Sequence, residues 1–113
     1  MTTQIRQQNG ISILEPSGKI VGHSVSELRE AILPQIAASD KPRILINFEK
    51  VSMIDSSGLG TLMEARTAAT RKNGRMGAIY VGRHIKNLVV LSRVVHIFEH
   101  FDSEEDAISA LSA

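Results

Sequence analysis

The residues best able to do chemistry in this 113-residue chain lie in Met53-Ile54-Asp55-Ser56-Ser57-Gly58-Leu59-Gly60. Asp55 offers a carboxylate, and Ser56 and Ser57 offer hydroxyls, just ahead of a run with helical spacing. All three cap helix N-termini well, where unpaired amides and a positive partial charge favour oxygen ligands and anions. Gly58 and Gly60 each cost roughly 1 kcal/mol relative to Ala in a helix, which points to a need for close backbone approach. A capped, tightly packed helix start accounts for the segment without any function. The functional version is a modification site. A phosphate on serine adds about 1.5–2 negative charges, which a helix N-terminus tolerates. Asp55 would repel it, and a partner surface fitted to the neutral hydroxyl would lose its fit. That is a binary switch on binding that leaves the fold intact.

Catalysis by the same serine fits less well. Asp55-Ser56-Ser57 is not a glycine-flanked nucleophile elbow. His23, His84, His96 and His100 lack metal-site spacing, and each reads as a surface or structural histidine. His96 and His100 are four apart, but they fall across an expected strand. Gly18-Lys19-Ile20-Val21-Gly22-His23-Ser24 resembles a phosphate loop only superficially, because the glycine-lysine-serine order is missing. Cysteine is absent, which excludes disulfides, thiol catalysis and thiolate metal sites. No catalytic residue, metal or cofactor is expected.

Composition narrows the classes further. Apolar residues make up 42% and charged residues 22%, as in ordinary globular chains rather than disordered ones. The longest apolar runs, such as Leu88-Val89-Val90-Leu91, are far shorter than the ~20 residues of a spanning helix, so no membrane insertion is expected. The N-terminal residues have no apolar signal region, and the cytoplasm is the expected compartment. The net charge of +1 gives no global reason to bind nucleic acid. Three Phe and one Tyr supply no stacking platform, since Phe48, Tyr80 and Phe98 sit in core-like patterns. Charge is uneven, however. Arg66, Arg71, Lys72, Arg75, Arg83, Lys86 and Arg93 form an acid-free stretch, followed by Glu99, Asp102, Glu104, Glu105 and Asp106. The two stretches read as solvated faces that attract each other, or as a basic face for an acidic partner.

The elements that must position the loop follow from periodicity. Ile5 and Ile11–Leu14 flank Asn9-Gly10, a strong hairpin turn signal, with the second strand ending at Pro16-Ser17-Gly18. Lys19-Ile20-Val21 reads as a short third strand stopped by Gly22. Ser24 and Glu27 form a capping box for a helix carrying Val25, Leu28, Ile32 and Ile36, which Pro34 should kink or end. Arg43–Phe48 is nearly continuously apolar, the mark of a strand buried on both faces. A second helix runs from Leu59 to Arg71, with Leu59, Leu62, Met63, Ala65 and Ala69 inward, and Asn73-Gly74 ends it. Met76–Val81 is a strand, Ile85, Leu88 and Val89 mark a third helix, and Ile97–Phe101 is a short strand. Ser103 caps a last helix that opens on Glu104-Glu105-Asp106. The expected fold is a single α/β domain over residues 1–113. Its mixed, mostly parallel sheet carries about four helices.

These residues resemble the STAS family, the sulfate-transporter and anti-sigma-factor-antagonist domains. Ile54-Asp55-Ser56-Ser57-Gly58-Leu59-Gly60 is similar to that family's phosphorylation loop. Ile44–Phe48 stands in the place of its central strand, Gly18 in that of its early glycine, and Ser103–Ala107 in that of its acidic last-helix start. The resemblance implies a mixed sheet with helices mainly on one side. It implies that Ser56 is the phosphorylated serine and that the unphosphorylated domain binds an anti-sigma factor that is also a serine kinase. It further implies that a metal-dependent, PP2C-type phosphatase restores the active form. Asp55, Ser57, Gly58, Leu59, Gly22, His23 and Ser24 are the expected partner-binding residues. In the family an acid is common near Val21-Gly22-His23, and an aspartate where this chain has Asn47. The alternative is a non-switching STAS scaffold, or a soluble subunit regulating a transporter or signalling complex.

Overall fold

The computed structural model describes residues 2–81 and 98–112. Strands β1 (Thr2–Gln8) and β2 (Ile11–Ile20) form an antiparallel hairpin. Asn9 and Gly10 at its tip both have positive φ, 53° and 77°. This is the turn whose twist matches the strands it joins.

β2 does not end at Pro16-Ser17-Gly18, and Lys19-Ile20 is its tail rather than a third strand. Its parallel neighbour β3 (Arg43–Asn47) accompanies it only over Ser12–Leu14, and β4 (Val51–Ile54) takes over from Gly18 onward. Pro16 falls in the gap between these two partners, where a strand can dispense with one donor. At Gly18 the backbone takes φ +94°, and the register with β4 shifts between Gly18 and Lys19. The result is a bulge, which redirects the end of the strand.

Beyond β2 a 3-10 turn (Gly22–Ser24) leads into α1 (Val25–Ala37). Ser24 is not the side-chain cap that the Ser24–Glu27 spacing suggests. The tight turn puts its backbone in the helical region (φ −79°, ψ −9°), whereas a capping serine needs extended geometry. Its buried hydroxyl instead lies 2.7 Å from the Val21 carbonyl and 2.9 Å from that of Lys19, and accepts from the Val21 amide. α1 continues through Pro34, which simply forgoes one hydrogen bond, and the Ala38 amide donates back to the Pro34 carbonyl.

β3 is central and buried on both faces, as its apolar run predicts. After it, the Phe48 amide donates to the Ile79 carbonyl and the Val51 amide to the Phe48 carbonyl, a turn that offsets the chain into β4. Helix α2 (Ser56–Arg71), strand β5 (Arg75–Ile79), strand β6 (Glu99–Phe101) and helix α3 (Glu104–Leu111) complete the described elements. The sheet order is β1-β2-β3-β5-β6, with β4 beside the tail of β2. Among the described residues only the β1–β2 pairing is antiparallel, so the sheet is mixed and mostly parallel. The helix expected around Ile85, Leu88 and Val89 lies outside the described residues.

Two cores hold the layers together. On one face α1 and α2 bury Leu28, Ile32, Leu59 and Leu62 against Leu14, Ile20, Ile44, Ile46 and Ile54. On the other, α3 buries Ala107, Ile108 and Leu111 against Ile11, Ile13, Leu45 and Ile79. A fully buried Leu or Ile contributes about 1.5–3 kcal/mol. Ser103 caps α3 as expected, accepting from the Asp106 amide at 3.1 Å. The basic and acidic stretches do meet: Arg75 forks onto both Glu99 carboxylate oxygens. Met63, by contrast, is not part of the inner face of α2; it is 49% exposed, with Thr61 inward instead.

Gly58 and Gly60 separate in role. A Cβ on Gly58 would lie 2.5 Å from the Ile20 carbonyl oxygen and 2.8 Å from Ile20 Cγ2, whereas one on Gly60 would meet nothing within 4 Å. Gly58 therefore sets the distance between α2 and β2, while Gly60 is exposed. Gly58→Ala should cost about 1–3 kcal/mol by overpacking. Gly60→Ala should stabilise by up to about 1 kcal/mol. Urea melts of the two variants check this, and equal effects would show that the close approach is not limiting.

Candidate functional site

The fork in β2 places the site. Because β4 runs beside the tail of β2, the two strands end together, and the Asp55 amide donates to the Ile20 carbonyl at 3.2 Å. The loop after β2 and the loop after β4 thus emerge side by side. The residues singled out at 22–24 and 55–57, distant in sequence, become one surface.

Asp55 joins them. Its backbone is extended (φ −98°, ψ −176°), the geometry of a helix cap, and its Oδ1 accepts from the Gly58 amide at 2.9 Å. Its Oδ2 accepts from the Gly22 amide, also at 2.9 Å. Gly22 presents that amide from φ +48°, a region where L side chains are strained. The Gly58 hydrogen bond is the main cause that holds the Asp55 carboxyl below the usual carboxylate range, helped by the amides of Gly22, Ser57 and Asp55 itself. One carboxylate therefore closes the first turn of α2 and clasps the loop that precedes α1.

With Asp55 serving as the cap, Ser56 is left as the first helical residue, exposed, and its hydroxyl makes no hydrogen bond among the described residues. Ser57, Gly22 and His23 are exposed beside it. Ser24, Gly58 and Leu59 are buried, so they shape this surface from beneath. Asn47 is buried too, its amide nitrogen 3.4 Å from a Glu15 oxygen and its carbonyl oxygen accepting from the Glu49 amide. It keeps a polar contact without a charge of its own.

Two apolar residues join the surface that the sequence reading missed. Met53 on β4 is 42% exposed, and Met63 lies two helical turns after Ser56 on the same side of α2. The seven-residue spacing from Ser56 to Met63, with Gly60 between, is the signal that could have revealed it. Arg29 on α1 forks onto Glu64 on α2 at 2.9 and 3.0 Å, tying the two helices at the surface. Among the described residues no three His, Asp or Glu side chains are grouped as a metal site requires, and no helix is long and apolar enough to cross a membrane.

Residues 2–107 match the family model of the STAS domain. The chain belongs to the STAS domain family. It is 25% identical over 113 residues to the anti-sigma F factor antagonist of Paenibacillus polymyxa, covering 98% of this chain and 97% of that protein. The crystal structure of an anti-sigma factor antagonist from Mycobacterium paratuberculosis has the same fold. Its TM-score is 0.80 at 24% identity, over 99% of this chain and 94% of that one. The Bacillus cell fate determinant SpoIIAA in its phosphorylated form also matches, with a TM-score of 0.71 at 22% identity over 96% and 98%.

The clasp in this STAS domain makes a pH prediction. A carboxyl whose folded pKa is depressed stabilises the fold above its unfolded pKa, and that stability is lost as pH falls through the folded value. Asp55→Ala should cost about 1 kcal/mol at neutral pH, in the range of other caps. The gap between wild type and variant should narrow below about pH 4. Thermal melts of both proteins from neutral to acid pH check this; a gap that stays constant through the acid limb would show that Asp55 ionisation is not coupled to folding.

Proposed function

We propose that this STAS protein is an anti-sigma factor antagonist switched by phosphorylation of Ser56. In its unphosphorylated form it binds, in the cytoplasm, an anti-sigma factor that is also a serine kinase, and so frees the sigma factor. The kinase phosphorylates Ser56, and a metal-dependent PP2C-type phosphatase removes the phosphate. The observation that carries the reading is the division of labour at the α2 N-terminus: Asp55 does the capping, and the neighbouring Ser56 hydroxyl is exposed and makes no hydrogen bond among the described residues. The P. polymyxa relative and the existence of a phosphorylated SpoIIAA structure support it.

The same geometry favours a binding module over an enzyme. A serine nucleophile needs a base within hydrogen-bond reach, and the Ser56 hydroxyl has none among the described residues. The geometry also says how a phosphate would act. The amides of Gly58 and Gly22 are already taken by Asp55. A phosphate on Ser56 has no vacant cradle there and is pushed outward by the carboxylate beside it. Its charge falls on the partner's side of the surface, the side of α2 that also carries the exposed Met63, which an apolar partner face would cover.

Ser56→Asp should therefore fold with unchanged stability, since an acid at the start of a helix is favoured. It should bind the cognate anti-sigma kinase at least about tenfold more weakly than wild type. Ser56→Ala should bind but resist inactivation by the kinase and ATP. Titration calorimetry, with mass spectrometry to locate the phosphate, checks both. Wild-type affinity in Ser56→Asp, or phosphate at a residue other than Ser56, would overturn the switch.

A further inference from the structure

Among the described residues the two edges of the sheet are treated very differently. β6, at one edge, has three residues and carries Glu99 in an ion pair. Short, charged edges resist pairing with other chains. β1, at the other edge, has seven residues, Thr2-Thr3-Gln4-Ile5-Arg6-Gln7-Gln8, and six of them are exposed. It has no proline, glycine, lysine or acid. Its one charge, Arg6, is paired with Glu104 on α3.

The hairpin decides which backbone groups β1 has left over. The two-residue turn makes Gln8 and Ile11 a hydrogen-bonded pair, and such pairs alternate along an antiparallel ladder. Gln8, Arg6, Gln4 and Thr2 therefore bond to β2, while Thr3, Ile5 and Gln7 point their amides and carbonyls outward. Side chains follow the same alternation. Gln7 hydrogen-bonds Gln35 of α1, and Ile5 lies opposite Leu14, whose side chain is in the core under α1 and α2. Ile5 is thus an apolar residue, 41% exposed, on the α1 face of an open edge. Close by, the buried Thr3 hydroxyl has no hydrogen-bond partner among the described residues.

We propose that β1 pairs antiparallel with β1 of a second copy of this chain, on a twofold axis through Ile5. Ile5 is the middle residue of the strand, so this register sets Ile5 opposite Ile5 and Thr3 opposite Gln7 in both directions. All three outward residues of each copy then find partners, giving six backbone hydrogen bonds. The isoleucines meet on the axis, and like charges are nowhere opposed. The two sheets become one continuous sheet. Self-complementarity of this kind is what a twofold interface demands, and it selects a second copy over an unrelated strand. The contact is small, so the dimer is a weak, concentration-dependent one.

Sedimentation of the full chain from about 10 µM to about 1 mM tests this, a range that brackets weak association. The wild type should move from one monomer mass toward two. Ile5→Lys and Ile5→Glu, at a half-exposed position, should melt like the wild type and each dimerise at least about tenfold more weakly. Mixed in equal amounts they should recover the dimer, because opposite charges then face each other on the axis. A wild type that stays monomeric throughout, a lysine variant that dimerises unimpaired, or a mixture that fails to recover would each overturn the proposal. Should either variant fold poorly, amide exchange on the wild type decides. Thr3, Ile5 and Gln7 must gain protection as concentration rises, and unchanged exchange at all three would overturn the pairing.

Discussion

A single carboxylate holds this site in place. Asp55 accepts one hydrogen bond from the first turn of α2 and another from the loop before α1, at 2.9 Å each. These are charge-assisted bonds to backbone donors, roughly twice as strong as neutral ones. Each has a different consequence. The Gly58 bond fixes where α2 begins, which makes Ser56 the first helical residue. The Gly22 bond fixes the neighbouring loop, which sets His23 beside it. A partner docking here as proposed would meet one preorganised surface rather than two loops moving separately, and preorganisation lowers the entropic cost of binding. The clasp also consumes the positive helix end. An anion arriving on Ser56 finds the best donors already engaged, so it alters the surface and not the interior.

The clasp depends in turn on how β2 divides its pairing. Residues 12–14 belong to β3 and residues 18–20 to β4, with a bulge at Gly18 between the two sets. Were β3 to pair along the whole of β2, β4 would have no place beside Ile20. Asp55 would then be carried away from Gly22. Gly58 completes the arrangement by letting α2 lie against the Ile20 carbonyl, a distance no side chain allows. Strand fork, bulge and close approach all converge on the carboxyl ends of β2 and β4. Parallel sheets present loops for recognition at such ends.

Much of this was legible in the residues. The alternation of strands and helices, the Asn9-Gly10 hairpin, the doubly buried β3 and the Ser103 cap each follow from a local signal strong enough to survive tertiary context. Asp55, Ser56 and Ser57 are all good caps, and three in a row do not say which one caps; the helix read from Leu59 in fact begins at Ser56, because Asp55 takes the cap. The misses share a cause: tertiary pairing outweighed a local rule. Pro16 ordinarily ends a strand, but here it falls between two partners. Ser24 and Glu27 have capping-box spacing, but the 3-10 turn removes the geometry the box needs. β4 buries Val51 and Ile54, three residues apart, a spacing that fits a helix and not the two-residue period of a strand. Met63 has the spacing of an inner residue and is nonetheless exposed, because Thr61 takes the inward position on α2.

The fork also keeps two surfaces independent. β1 pairs with β2 from Ile11 to Ser17, and the clasp is built beyond Gly18, on the part of β2 that belongs to β4. The bulge lies between them. A charge added at Ser56 acts through water over short distances, since surface fields are screened within about 8 Å at physiological salt. The Ser56 side reaches β1 through β2 and through α1, whose Gln35 hydrogen-bonds Gln7, and Leu14 and Ile20 of β2 are locked with Leu28 and Ile32 of α1 in one rigid core. A packed core transmits a change between sites only when it has two arrangements to choose from. A phosphate on Ser56, directed outward as proposed, would not select between arrangements of that core. What happens at the helix mouth can therefore change without disturbing the sheet edge. The edge can in turn be paired or free without altering what the loop presents.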